Sequence, residues 1–204
     1  MLFLTVADGP YRVRRSSFNP SMFFTLFKNS NFRSAAFGYF GHMWELYTFW
    51  AFIPTLLAFY VLSNQGLVMN IPLWSSIIIG IGGISCAVGG YISLKKGSKF
   101  VSKISLFISG LCSVLIPFLF SAPVWVFLGL IPDSPQFSTL VAQSTDSSYI
   151  ATGLTIVNSI GFAITIVSIQ LVNLMWAYFQ DPLVFLVIFV GPLCGLFAIT
   201  RYRV

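Results

Sequence analysis

All eleven lysines and arginines of this chain fall within residues 12–33, 95–103 and 201–203, and the long stretches between them are apolar. Soluble domains carry about 25% charged residues; here the share is 8%, against 57% hydrophobic. A lipid bilayer is the solvent that suits such stretches. Inside lipid every backbone N–H and C=O must be bonded within the protein, so crossing segments are helices. Each crossing takes about 20 residues, which leaves room for about six helices and short loops in this length of chain. The expected fold is all-α, a polytopic membrane helix bundle with no separate soluble domain. The formal net charge of +6 is then a statement about topology before it is one about partners, and no nucleic-acid binding is expected.

Residues 1–31 read as a cytoplasmic segment. Residues 1–6 are shorter than the apolar core of a signal peptide, about 7 to 15 residues, so no cleavable leader is expected. Asn19 and Pro20 predict the start of a short helix carrying Phe23, Phe24, Leu26 and Phe27. Its aromatic content and flanking charges suit the membrane interface. The bundle occupies 32–204, with spans expected at about 34–62, 73–94, 100–120, 124–144, 149–174 and 182–200. The first is longer than a crossing requires, and Pro54 is the natural place for a bend. In the second, Gly83 with Ala87 and Cys86 with Gly90 are small residues four apart, a spacing that lets neighbouring helices approach closely. Residues 176–181 read as an aromatic interfacial turn. A cytoplasmic N-terminus puts every lysine and arginine on one side and none in the three opposite loops, so both termini are expected in the cytoplasm of a cell's plasma or inner membrane.

Three ionisable groups stand where a membrane helix should carry none: His42, Glu45 and Asp133. A carboxylate at the centre of a span costs roughly 2.5 to 3.5 kcal/mol on insertion scales. Helical rise places Asp133 about 14 Å below the outer end of its span, and His42 and Glu45 about 14 and about 18 Å above the inner end of theirs. Against a core about 30 Å thick, all three lie near the midplane. His42 and Glu45 are three apart and share a helix face. Two readings stay open: the pair satisfies itself and pins the bundle, or the groups mark a solute or proton path. Gly41-x-x-x-Glu45 in the first span is matched by Gly129-x-x-x-Asp133 in the fourth, as a 3+3 inverted repeat requires. Tyr39, Trp44, Tyr47, Gln136 and Asn158 are the aromatic and amide side chains available to line such a path.

Catalysis has little to work with. His42 is the only histidine, no GxSxG-like turn occurs, and Cys86, Cys112 and Cys194 are isolated within apolar runs without metal-ligand spacing. Neither an enzyme, a cofactor nor a metal site is expected.

The pattern resembles the C-terminal six-helix half of a major facilitator superfamily transporter. Asp8-Gly-Pro-Tyr-Arg12 and the basic residues after it resemble the central cytoplasmic linker of that family, and residues 1–6 the end of the preceding helix. Asn31-Phe-Arg33 through Gly38-Tyr-Phe-Gly-His-Met-Trp-Glu-Leu-Tyr47 resembles the family's seventh helix, and Asp133-Ser-Pro-Gln-Phe137 its tenth. Gly90-Tyr-Ile-Ser-Leu-Lys-Lys-Gly-Ser-Lys99 is similar to its short loop motif at Gly90, Lys95, Gly97 and Lys99, with Leu94 where the family has an acid and Ser98 where it has a basic residue. The resemblance implies transport of a small solute, coupled to protons, with Glu45, Asp133 and His42 as the solute- or proton-binding groups and Tyr39, Gln136 and Asn158 beside them. It also implies a partner, because alternating access rocks two six-helix halves about a midplane site. That partner is an N-terminal six-helix half or a second copy of this chain, with Gly191-x-x-x-Gly195 available for a helix contact. The opposite wall of the cavity is then expected outside this chain. A non-transporting subunit or a remnant that needs a partner half is the alternative.

Overall fold

Asn29 starts the helix that carries the rest. Its Oδ1 accepts from the backbone N–H of Asn31 at 2.8 Å and of Phe32 at 3.2 Å, which satisfies two of the donors a helix start leaves open. From there the chain stays helical through Ser63, with Pro54 inside the helix. At 34 residues this helix is about 51 Å long, more than a core of about 30 Å requires.

The structure, a computed structural model, describes residues 22–64, 66–123, 137–145 and 149–202. Its helices are α1 (Met22–Lys28), α2 (Ser30–Ser63), α3 (Ile71–Lys96), α4 (Ser98–Leu115), α5 (Phe137–Gln143), α6 (Ile150–Phe179) and α7 (Val190–Thr200). A 3-10 turn, Ile116–Phe118, extends α4, and a 3-10 segment, Pro182–Phe189, leads into α7. Among the described residues there is no strand, and five helical stretches are long and apolar enough to cross a membrane. They coincide with the first, second, third, fifth and sixth expected spans. Most of the fourth, residues 124–136, lies outside the described residues, and α5 is what is described of it.

Chain punctuation follows local chemistry. Gly97 is the one residue between α3 and α4; its φ of 84° is left-handed, which glycine adopts without a Cβ penalty. Asn70 caps α3 through Leu73 N–H at 3.1 Å, and Asp181 caps the 3-10 segment through Leu183 N–H at 2.8 Å. The turn expected at 176–181 is shorter than the sequence suggested. α6 runs on to Phe179, and Gln180, at φ 48°, makes the reversal with Asp181.

α2 is the hub. It packs against α1, α3, α5, α6, α7 and the 3-10 segment, most extensively against α7 and α6. Two apolar clusters form around its ends. One gathers Phe32, Phe40 and Met43 with Phe137, Val157 and Ile199; the other gathers Phe52, Ile53, Leu57 and Tyr60 with Val172 and Phe185. Between them lies a buried polar layer, His42, Glu45 and Thr48. The approach to α7 is backbone to backbone. A Cβ on Gly41 would strike the Gly191 carbonyl oxygen and fall 2.9 Å from Gly195 Cα, while one on Gly195 would meet the Gly38 carbonyl oxygen at 3.2 Å. Gly191-x-x-x-Gly195 is therefore occupied within this chain, which removes it from the expected contact with a second copy. The small residues of α3 behave in the opposite way. Among the described residues nothing lies within 4 Å of a Cβ added at Gly80 or Gly83, so none of them makes the close approach expected along that helix at those positions.

Candidate functional site

The polar layer is built from the middle of α2 outward. Glu45 and His42 are 4% and 3% exposed, so both are buried inside the bundle. Glu45 Oε1 lies 2.6 Å from Ser113 Oγ on α4, and that same hydroxyl lies 3.0 Å from the Ser109 carbonyl oxygen one turn earlier. A serine hydroxyl has one proton to donate and two lone pairs to accept with. When Glu45 is ionised, Ser113 donates to it. When Glu45 is protonated, its O–H donates to Ser113 Oγ and Ser113 donates onward to Ser109. Both protonation states can be hydrogen-bonded in one heavy-atom arrangement, so the contact itself does not require one of them.

His42 takes a different neighbour. Its ring stacks on Phe137, the first residue of α5, with centroids 4.9 Å apart and planes inclined by 28°. α5 thus begins against the middle of α2. Asp133 and Gln136, expected in the site, lie outside the described residues, as does Gly129.

The side of α2 toward α6 holds Tyr39 and Tyr47, the latter with its ring centroid 5.5 Å from that of Phe162, while Trp44 faces the 3-10 segment and α7. Tyr39 packs onto Gly161 of α6, where an added Cβ would stand 2.7 Å from its ring. Asn158 lies one turn before Gly161; its Oδ1 is buried and has no hydrogen-bond partner among the described residues. Further along, Thr48 and Ser168 share a hydrogen bond of 2.6 Å, joining α2 to α6 across the layer. Trp44 Nε1 donates to the Val187 carbonyl oxygen at 3.2 Å. No family model, curated protein or solved structure matches the chain.

Within this chain α4 and α5 pack against Glu45 and His42, because α2 runs through the bundle and its polar face meets several neighbours. Ser113 is the candidate-site residue that sequence reasoning missed, although a signal was present. Ser98, Ser102, Ser105, Ser109 and Ser113 recur every three to four residues, a polar edge on one face of α4. Ser98, Ser102 and Ser113 are buried there.

The loop residues organise one end of the bundle. Lys99 Nζ donates to the Tyr202 carbonyl oxygen, tying the turn after α3 to the segment after α7. Burial raises the Tyr202 phenol above its ordinary pKa. Lys95 Nζ lies 4.6 Å above the Tyr91 ring, and the Gly90 carbonyl accepts from Ser93 Oγ at 2.8 Å. Arg33 at the start of α2 and Arg201 after α7 border one groove. The basic clusters that are far apart in sequence are thus gathered at one end.

Proposed function

We propose that the chain is a proton-coupled transport module for a small solute, the six-helix C-terminal half of a major-facilitator-type secondary transporter. In this reading residues 124–144 supply the sixth span and complete a 3+3 inverted repeat. Both termini and the Lys95–Lys99 turn face the cytoplasm. The observation that carries the reading is the Glu45–Ser113 contact, a buried mid-helix carboxyl whose partner accepts either protonation state. Intramembrane carboxyls of this kind mark proton and solute paths. Glu45 is the proton carrier, His42 a neighbour that tunes it, and Asp133 the matching acid of the second half-repeat. Tyr39, Gln136 and Asn158 serve the solute side.

The test is reconstitution with candidate N-terminal halves in proteoliposomes carrying an internal pH dye. Solute-dependent proton uptake is expected to fall at least about a hundredfold in Glu45→Gln, the scale on which positioned proton-transfer groups act. Infrared difference spectra between acid and alkaline pH are expected to lose one carboxylic-acid band in the same variant. Unchanged uptake together with an unchanged band defeats the proton role.

A second reading has one observation in its favour. Among the described residues nothing packs on Gly80 or Gly83, and α3 buries little of its length, as an assembly subunit covered by a partner helix would. Crosslinking from Cys86 on α3 to a co-purified partner, with uptake absent under every pairing, selects that reading.

A further inference from the structure

The groove between α2 and α7 has a volume of about 470 Å³, and its character changes along its length. At one end stand Arg33 and Arg201; beyond them the walls are Phe37, Phe197, Gly191 and Trp44. Arg33 spends one guanidinium N–H on the Phe27 carbonyl oxygen at 3.1 Å, and a guanidinium has five N–H donors. Arg201 lies 4.6 Å above the Phe197 ring, which leaves its N–H edge for another partner. Neither Glu45 nor Asp181, the carboxylates among the described residues, borders the groove. Phe37 and Phe197 are 49% and 62% exposed, so the groove opens sideways, away from the bundle.

Length selects the occupant. From Arg33 to Trp44 along α2 is about 17 Å by helical rise, close to the depth of one leaflet in a hydrocarbon core about 30 Å thick. A site with two cations at its mouth and an aromatic, apolar wall one leaflet deep matches a single class of molecule. We infer that this groove binds an anionic phospholipid, its phosphate held by Arg33 and Arg201 and one acyl chain laid along Phe37, Phe197 and Trp44. Basic pockets between helices at a membrane face hold acidic headgroups in this way, and guanidinium forks suit phosphate oxygens better than ammonium groups do. The groove between α3 and α4, of about 480 Å³, has Lys96 as the cation on its border and lacks that fork. The inference requires only that the chain be embedded in lipid and is independent of transport.

Trp44 provides the measurement. The intact chain is placed in phosphatidylcholine nanodiscs containing a minor fraction of either dibrominated phosphatidylglycerol or dibrominated phosphatidylcholine. The Trp44 signal is taken as the difference between wild type and Trp44→Phe. Quenching at equal mole fraction is expected to report an anionic-lipid preference of about fivefold per arginine, the factor that one cation near an acidic surface contributes. Arg201→Gln, which leaves the Arg33–Phe27 bond in place, lowers the preference, and Arg33→Gln/Arg201→Gln abolishes it. The rate of maleimide labelling at Cys194, an exposed thiol on the same groove, read by peptide mass spectrometry, falls with the anionic lipid in parallel. Equal quenching by the two lipids, or a preference that survives in the double variant, overturns the inference. So does protection of Cys194 by inorganic phosphate in pure phosphatidylcholine, which would make the groove a site for free anions.

Discussion

α2 and α3 are both long apolar helices with repeated glycines, yet they use them in opposite ways. On α2, Gly41 brings the backbone against Gly191 and Gly195 of α7, so closely that a methyl group has no room, while Gly38 faces the Ile199 side chain. On α3, Gly80 and Gly83 meet none of the described residues within 4 Å of an added Cβ. Small residues permit close packing, but they do not create it; another backbone has to arrive. The same division holds for polar groups. α2 buries a carboxyl, an imidazole and a hydroxyl in its middle, whereas Ser75 is the polar side chain that α3 buries.

The strongest way to break this contrast is to fill the glycines. Gly41→Ile is expected to destabilise by about 3 kcal/mol, the upper range for overpacking, because the obstructing atoms are backbone and cannot rotate aside. Gly83→Ile on α3 is the matched control, and its thermal melting in detergent micelles should stay near wild type. Equal losses at both positions would show that something outside this chain covers α3.

The polar layer comes next in size. Ser113→Ala removes one hydrogen bond from Glu45 and is expected to cost about 1 to 2 kcal/mol, read by equilibrium unfolding in mixed micelles. Ser113→Thr, which keeps the hydroxyl, should recover most of the loss. A silent Ser113→Ala would break the assignment of Ser113 as Glu45's partner.

A smaller effect is expected at the α2–α6 seam. A double-mutant cycle with Thr48→Val and Ser168→Ala should give a coupling near 0.6 kcal/mol, the average for hydrogen bonds between membrane helices. Zero coupling would leave the seam to apolar packing alone. The smallest effect carries the opposite sign. Gly80→Ala should stabilise α3 slightly, by no more than about 0.5 kcal/mol, since alanine restricts the unfolded chain and meets nothing in the folded one.

Much of the architecture was legible before any coordinates. The helix caps were not: Asn29, Asn70 and Asp181 each cap a helix start through the side chain, whereas the sequence pointed to Asn19, which lies outside the described residues. Gly97 sits at the sharp reversal that its neighbours Lys95 and Lys99 flank. Glu45 and His42 were identifiable as a candidate site because lipid makes ionisable groups conspicuous. Their partners were harder to foresee. Ser113 is 68 residues from Glu45, and Phe137 is far from His42 in sequence, so no local pattern links them. The serine edge of α4 was visible as a period but not as a destination. Gly191-x-x-x-Gly195 matched a motif that does not say whether its partner is the same chain or another.

By itself, then, the sequence determined the solvent, the helical class, the approximate spans and the residues that lipid would not tolerate alone. Those properties depend on local composition and on periods of a few residues, which the chain carries wherever it folds. The tertiary structure decided that α2 is the centre of the bundle, that Glu45 meets Ser113 and His42 meets Phe137, and that Arg33 and Arg201 share a groove. Each of those depends on which helix faces which, and that is fixed by where backbones can approach, at Gly41 and Gly191 above all.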